Sequence, residues 1–168
     1  MRAALIAGVA LALALALSPA AYAAGGGGGG GGSPDPVPTT PAKPIDPNFS
    51  RAKAMIQAQD YRGSLPLLQQ VVGSDPRNAE AYNLMGYATR KSGDANGALR
   101  FYNQALALDP RHLGAHEYIG EAYLQLDRLP DAEQHLARLD SICVFGCTEY
   151  RMLKTAIANY RSGHKPTN

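Results

Sequence analysis

Between Phe49 and Arg161 apolar residues recur three and four positions apart, the spacing that gathers side chains on one face of an α-helix. The clearest stretch is Ala79 to Arg111. Ala81, Tyr82, Met85 and Ala88 form one stripe there, and Ala98, Leu99, Tyr102, Ala105 and Leu106 form a second. Gly93 lies between them, where glycine takes the left-handed backbone that closes a helix, and Asp94 follows as an N-cap. Asp109-Pro110 ends the second helix, because proline restricts the residue before it and offers no amide. The pattern predicts a helical hairpin.

The pattern continues in both directions. Upstream it predicts a helix near Phe49 to Gln59, with Phe49, Ala52, Met55 and Ile56 inward and Asp46 or Asn48 as cap; Asp60 ends the turn. Pro66 is tolerated in the next helix if that helix starts close to Ser64, and kinks it otherwise. Downstream, Leu113 to Leu126 turns Ala115, His116, Ile119, Ala122 and Tyr123 inward, and Pro130 opens a helix carrying Ala132, Leu136 and Leu139. Thr148 to Arg161 then places Tyr150, Leu153, Ile157 and Tyr160 on one face of a closing helix, after which Ser162 to Asn168 is expected to fray. The predicted fold class is all-α.

A shift of 34 residues superposes the units. Small residues recur at Ala52, Gly86 and Gly120 and at Ser64, Ala98 and Ala132. Larger ones recur at Leu68, Tyr102 and Leu136, and Val71, Ala105 and Leu139 stay apolar. Asp75-Pro76 matches Asp109-Pro110. This period with these residue types resembles the tetratricopeptide repeat. The resemblance implies a right-handed α-solenoid of three hairpins, at about 45–78, 79–112 and 113–146, closed by a capping helix over 148–161 within a domain spanning 48–163.

It also implies a concave face lined by the first helix of each hairpin. Carried onto this chain, the partner-binding positions are Lys53 in the first unit, Asn83, Tyr87, Arg90 and Lys91 in the second, and Glu117 and Glu121 in the third. Tyr87 offers an apolar ring with a polar tip, and Arg90 and Lys91 can hold a carboxylate or backbone carbonyls. Relatives that clamp C-terminal carboxylates combine an asparagine with several cations. Only part of that set is present, and Glu117 and Glu121 would repel a carboxylate.

The segment before the repeats changes the picture. Arg2 precedes a 15-residue apolar run, Ala3 to Leu17, which is shorter than the roughly 20 residues that cross a bilayer. Ser18-Pro19 breaks the run, and Ala21-Tyr22-Ala23 has the small residues a signal peptidase needs, so residues 1–23 read as a signal peptide. An uncleaved anchor is the other reading. Eight glycines and then six prolines between Ser33 and Pro47 make 24–47 a disordered tether. The expected location is outside the cytoplasm, periplasmic or secreted, with no membrane span once the leader is gone.

Formal charge is +2, and the cations are interleaved with acids, so no basic face for nucleic acid is expected. Cys143 and Cys147 would meet an oxidising compartment, where a disulfide across Gly146 can brace the junction with the closing helix. A redox dithiol, free thiols or a shared metal are the other readings. His112 and His116 share a helix face, but His116 occupies the packing position of Tyr82, and His135 and His164 lack ligand-spaced partners; no metal site is assigned. No nucleophile motif or phosphate loop appears, so no catalytic residue and no cofactor is assigned. The sequence therefore predicts a non-catalytic module that binds a protein or peptide, with a small exported thiol-redox or metal-handling protein as the alternative.

Overall fold

The computed structural model describes residues 46–167. The expected signal peptide and the tether up to residue 45 lie outside them. Seven helices follow in order: α1 (Pro47–Gln57), α2 (Tyr61–Ser74), α3 (Ala79–Lys91), α4 (Ala95–Leu108), α5 (Leu113–Gln125), α6 (Leu129–Ile142) and α7 (Thr148–Arg161). No strand occurs among the described residues.

The 34-residue register is written in the turns. Gln59, Gly93 and Asp127 each take left-handed backbone, with φ of 61°, 101° and 60°. Their amides bond the carbonyls of Ile56, Arg90 and Leu124, and the next amides, of Asp60, Asp94 and Arg128, reach back to Met55, Thr89 and Tyr123. This paired closure satisfies the last carbonyls of each first helix and reverses the chain. Asp60 thus does more than end the turn: its carboxylate caps α2 through the Gly63 amide at 2.9 Å, as Asp94 caps α4 through Gly97 at 2.7 Å. A Cβ at Gly63 or Gly97 would fall on the capping carboxylate. In the third unit the cap is lost, and Arg128 instead pairs with Asp131 at 2.9 Å.

Because α2 starts at Tyr61 rather than near Ser64, Pro66 lies inside the helix. The carbonyl of Arg62 gets no amide from it, but the helix runs on to Ser74.

The inner row is formed by α1, α3, α5 and α7, each touching the next. The outer helices α2, α4 and α6 pack on the inner row but not on one another. A stack that closes inside and splays outside curves, and its hollow belongs to the inner helices. Small residues permit the approach. At Gly86 a Cβ would stand 2.5 Å from the Tyr102 ring, and at Gly120 2.6 Å from Leu153 of α7. The core is spread along the stack in three clusters, around Leu68 and Met85, around Tyr102 and Ile119, and around Leu139, Leu153 and Ile157.

Cys143, which stands where Asp75 and Asp109 end the earlier units, is bonded to Cys147 with the Cα atoms 5.6 Å apart. Val144 and Phe145 project from this loop into solvent. Beyond α7, where the sequence leads to the expectation of a frayed tail, the structure places residues 164–167 against the α5–α6 turn. Gly163, at φ 90°, repeats the closure of the earlier turns, with its amide on the Tyr160 carbonyl and that of His164 on Asn159. The chain turns back, and Lys165 reaches Asp127 at 2.6 Å while the Pro166 carbonyl accepts from Gln125 Nε2 at 3.3 Å.

Candidate functional site

Five of the seven expected partner-binding residues meet on the inner face. Tyr87, Arg90 and Lys91 of α3, Glu117 and Glu121 of α5, and Met152 of α7 line a cleft of about 360 Å³, which Tyr118, Pro166 and Thr167 complete. Tyrosines run along it. Tyr61 meets Tyr87 edge-on at 5.9 Å between ring centres, and Tyr87 meets Tyr118 at 4.8 Å.

Arg90 is placed differently from the expected free cation. It is 2% exposed, its Nη2 lies 2.7 Å from Glu121, and its guanidinium sits near the rings of Tyr87 and Tyr118 at 5.7 and 6.0 Å. It ties α3 to α5 and supports the two rings. Lys91 is the cation left on the rim.

Glu117 is also 2% exposed, and its Oε1 has no hydrogen-bond partner. Burial first, and then the neighbouring Glu121, push its pKa up to about 8. At neutral pH it is therefore chiefly the uncharged acid. With Glu121 paired to Arg90, the two carboxyl groups do not present the double negative charge that their sequence suggests.

The other two expected residues lie elsewhere. Lys53 is exposed on α1, its ammonium 5.7 Å from the Phe49 ring centre. Asn83 is buried and donates to Glu80 at 3.2 Å; Glu80 accepts from His112 Nε2 at 2.9 Å, and His112 Nδ1 caps α5 through the Ala115 amide at 3.3 Å. This chain of bonds joins the second and third hairpins. The hydrogen bond that His112 donates to Glu80 holds the His112 pKa up.

His135 does find a partner. Its Nδ1 is 2.9 Å from His116 Nδ1, while His116 Nε2 is 3.1 Å from the Pro110 carbonyl. A carbonyl only accepts, so His116 carries its proton on Nε2 and His135 donates to the free Nδ1. Burial lowers both, His135 to about 4, with His116 adding to the effect. Among the described residues no group of three or more His, Cys, Asp or Glu is placed to hold a metal ion, and no helix is long and apolar enough to cross a membrane.

Sequence reasoning missed Tyr118, Tyr61 and the tail. Tyr118 lies in the register of Leu84, between the buried stripe and the expected groove positions, so the repeat gave no sign of it.

Two family models for the tetratricopeptide repeat match the chain, one over residues 49–110 and one over 90–157. No curated protein matches it. Among solved structures, the type III secretion translocator chaperone SycD of Yersinia enterocolitica superposes with a TM-score of 0.60 at 18% identity, covering 69% of this chain and 87% of that one. MamA from Desulfovibrio magneticus RS-1 does so with a TM-score of 0.55 at 23% identity, covering 56% of this chain. The chain spans 54% of the length of that MamA structure. At these identities the likeness is one of fold.

Proposed function

As the chain belongs to the tetratricopeptide repeat family, we propose that it is a non-catalytic interaction module that takes an extended peptide or a partner helix along the inner face of α3, α5 and α7. The observation that carries this is the cleft itself. Three inner helices place two tyrosine rings, a rim lysine and an unpartnered, buried carboxyl oxygen around one open space. A buried polar atom left without a partner costs free energy that a bound peptide amide can recover. The rings supply apolar area with little side-chain entropy to lose.

The same proposal places the module in the cell envelope or outside the cell. The support is the apolar run ending in Ala21-Tyr22-Ala23 and the Cys143–Cys147 bond, which suits an oxidising compartment. The disulfide closes a short loop between two helices, which suits a brace rather than a dithiol centre.

Random peptides displayed on phage and selected on the purified chain should yield binders, at least tenfold weakened by the Tyr87→Ala, Tyr118→Ala pair; because Tyr118 packs on the Tyr102 and Ile119 cluster, binding is measured at a temperature where circular dichroism shows the variant folded. Binders indifferent to both substitutions would remove the groove from the reading. N-terminal sequencing of chain recovered from the periplasmic fraction should begin at Ala24; recovery of the whole chain from the cytoplasm would refute export.

A further inference from the structure

Residues 164–167 cross the groove at the edge where α3 and α5 end. Lys165 is held at the α5–α6 turn by Asp127, which also accepts from the Tyr160 hydroxyl at 2.9 Å. The carbonyl of Pro166 takes the Gln125 side-chain amide. With Thr167, Pro166 walls both the tyrosine-lined cleft and a second one of about 620 Å³ at the α3–α4 turn, and with Lys165 it walls a third, of about 440 Å³, along α7. The strap thus borders three spaces.

Two of the contacts that hold the strap are weak. The Lys165–Asp127 pair is exposed on both sides, and the Gln125 bond is long. Pro166 has no amide hydrogen to offer, and Glu117 Oε1 in the same cleft remains without a partner. The strap lines one edge of the cleft and leaves that oxygen unbonded.

We propose that residues 164–167 are a built-in competitor, lying where an extended segment of a partner protein with a lysine followed by proline runs, and that the partner binds by displacing them. This rests on the groove reading above. The chemistry of the edge matches such a segment. The carbonyl ends of α3 and α5 and the carboxylate of Asp127 favour a cation there, and Asp127 is already occupied by one. The Gln125 amide reads a backbone carbonyl of extended chain. The rings of Tyr87 and Tyr118 form the kind of apolar floor on which proline-containing extended peptides lie. An incoming segment with an amide or ammonium hydrogen near Glu117 gains a bond that the strap lacks.

The test uses a fluorescein-labelled peptide of residues 162–167, Ser-Gly-His-Lys-Pro-Thr, and fluorescence polarisation. The full chain is compared with a Lys165→Glu, Pro166→Gly variant, in which Asp127 repels the strap. The released variant should bind the peptide about tenfold more tightly than the unaltered chain, equivalent to ~1.4 kcal/mol. A peptide with glutamate in place of the lysine should not compete. Equal affinity for both chains, no binding to the released variant, or equal competition by the glutamate peptide would each overturn the proposal. The two readings fail separately. If displayed peptides bind through Tyr87 and Tyr118 while the strap peptide does not bind the released variant, the strap is no competitor and the groove stands. If displayed peptides ignore both tyrosines, the groove reading falls and the strap proposal with it.

Discussion

Glu117 shows how one buried residue couples the groove to pH. Its carboxyl has a pKa of about 8 in the folded chain, against 4.5 for the ordinary group, so between these values the folded state binds more protons than the unfolded one. Its contribution is present below pH 4.5 and is lost as pH rises through 8. Replacing Glu117 by glutamine keeps the shape and removes the titration. The variant should gain about 2–3 kcal/mol relative to the unaltered chain between pH 5 and pH 9 in urea melts, a figure reduced for the water that still reaches the cleft. Parallel pH profiles for the two chains would show that Glu117 is ionised throughout. His135 works in the opposite sense: held at about 4 by burial, it stays neutral as pH falls while the unfolded chain takes up protons, so its contribution is lost from pH 6.5 downwards.

At the level of the element, small residues decide how closely helices approach, and two glycines separate this effect from helix propensity. Gly73, in α2, has nothing within 4 Å of the place a methyl group would take, whereas at Gly86 in α3 the methyl would meet the fully buried Tyr102 ring at 2.5 Å. Gly73→Ala should therefore raise stability by up to about 1 kcal/mol through helix propensity alone. Gly86→Ala gains the same term but must push a ring that has no free space, and overpacking of this kind costs ~1–3 kcal/mol. The net change at Gly86 is a loss of up to about 2 kcal/mol, measured by thermal melts beside Gly73→Ala. A gain at both sites would mean that the α3–α4 crossing is loosely packed. The turns show the same local logic. Gln59 and Asp127 adopt the left-handed backbone of Gly93 because the closing bonds of the turn require it, although neither residue announces the fact in sequence.

The whole molecule is a short array whose last hairpin must be sealed. Leu153 and Ile157 of α7 cover Leu124, Ala132 and Leu139, and the Cys143–Cys147 bond fixes the loop that delivers α7. Since the buried face itself holds α7, a Cys143→Ser, Cys147→Ser chain should remain folded and lose about 2 kcal/mol, the chain-entropy value for so short a loop. Retained peptide binding and a melting temperature lowered by roughly 6–12 °C are the expected results. Complete unfolding would show that the bond, not the apolar face, secures the closing helix. Curvature likewise belongs to this scale: the inner helices touch and the outer ones do not, and this alone creates the hollow in which Tyr87, Tyr118 and the strap meet.

The helices, their order, the repeat register and the caps at Asp46 and Asp94 were legible in the sequence, because a stripe, a capping aspartate and a helix-ending glycine act within four or five residues of backbone; the caps at Asp60, Asn78 and His112 were not. The repeat also put Tyr87, Arg90, Lys91, Glu117 and Glu121 on one side of the stack, where they line a single cleft. Their states were not legible. Whether Arg90 is free or paired, whether Glu117 is charged, and that His116 and His135 touch all depend on side chains from different helices sharing a dry space. The strap is the extreme case, with Gln125 and Pro166 41 residues apart. Local sequence carries no term for such a contact; only the stacking of three hairpins and a closing helix brings the two ends together.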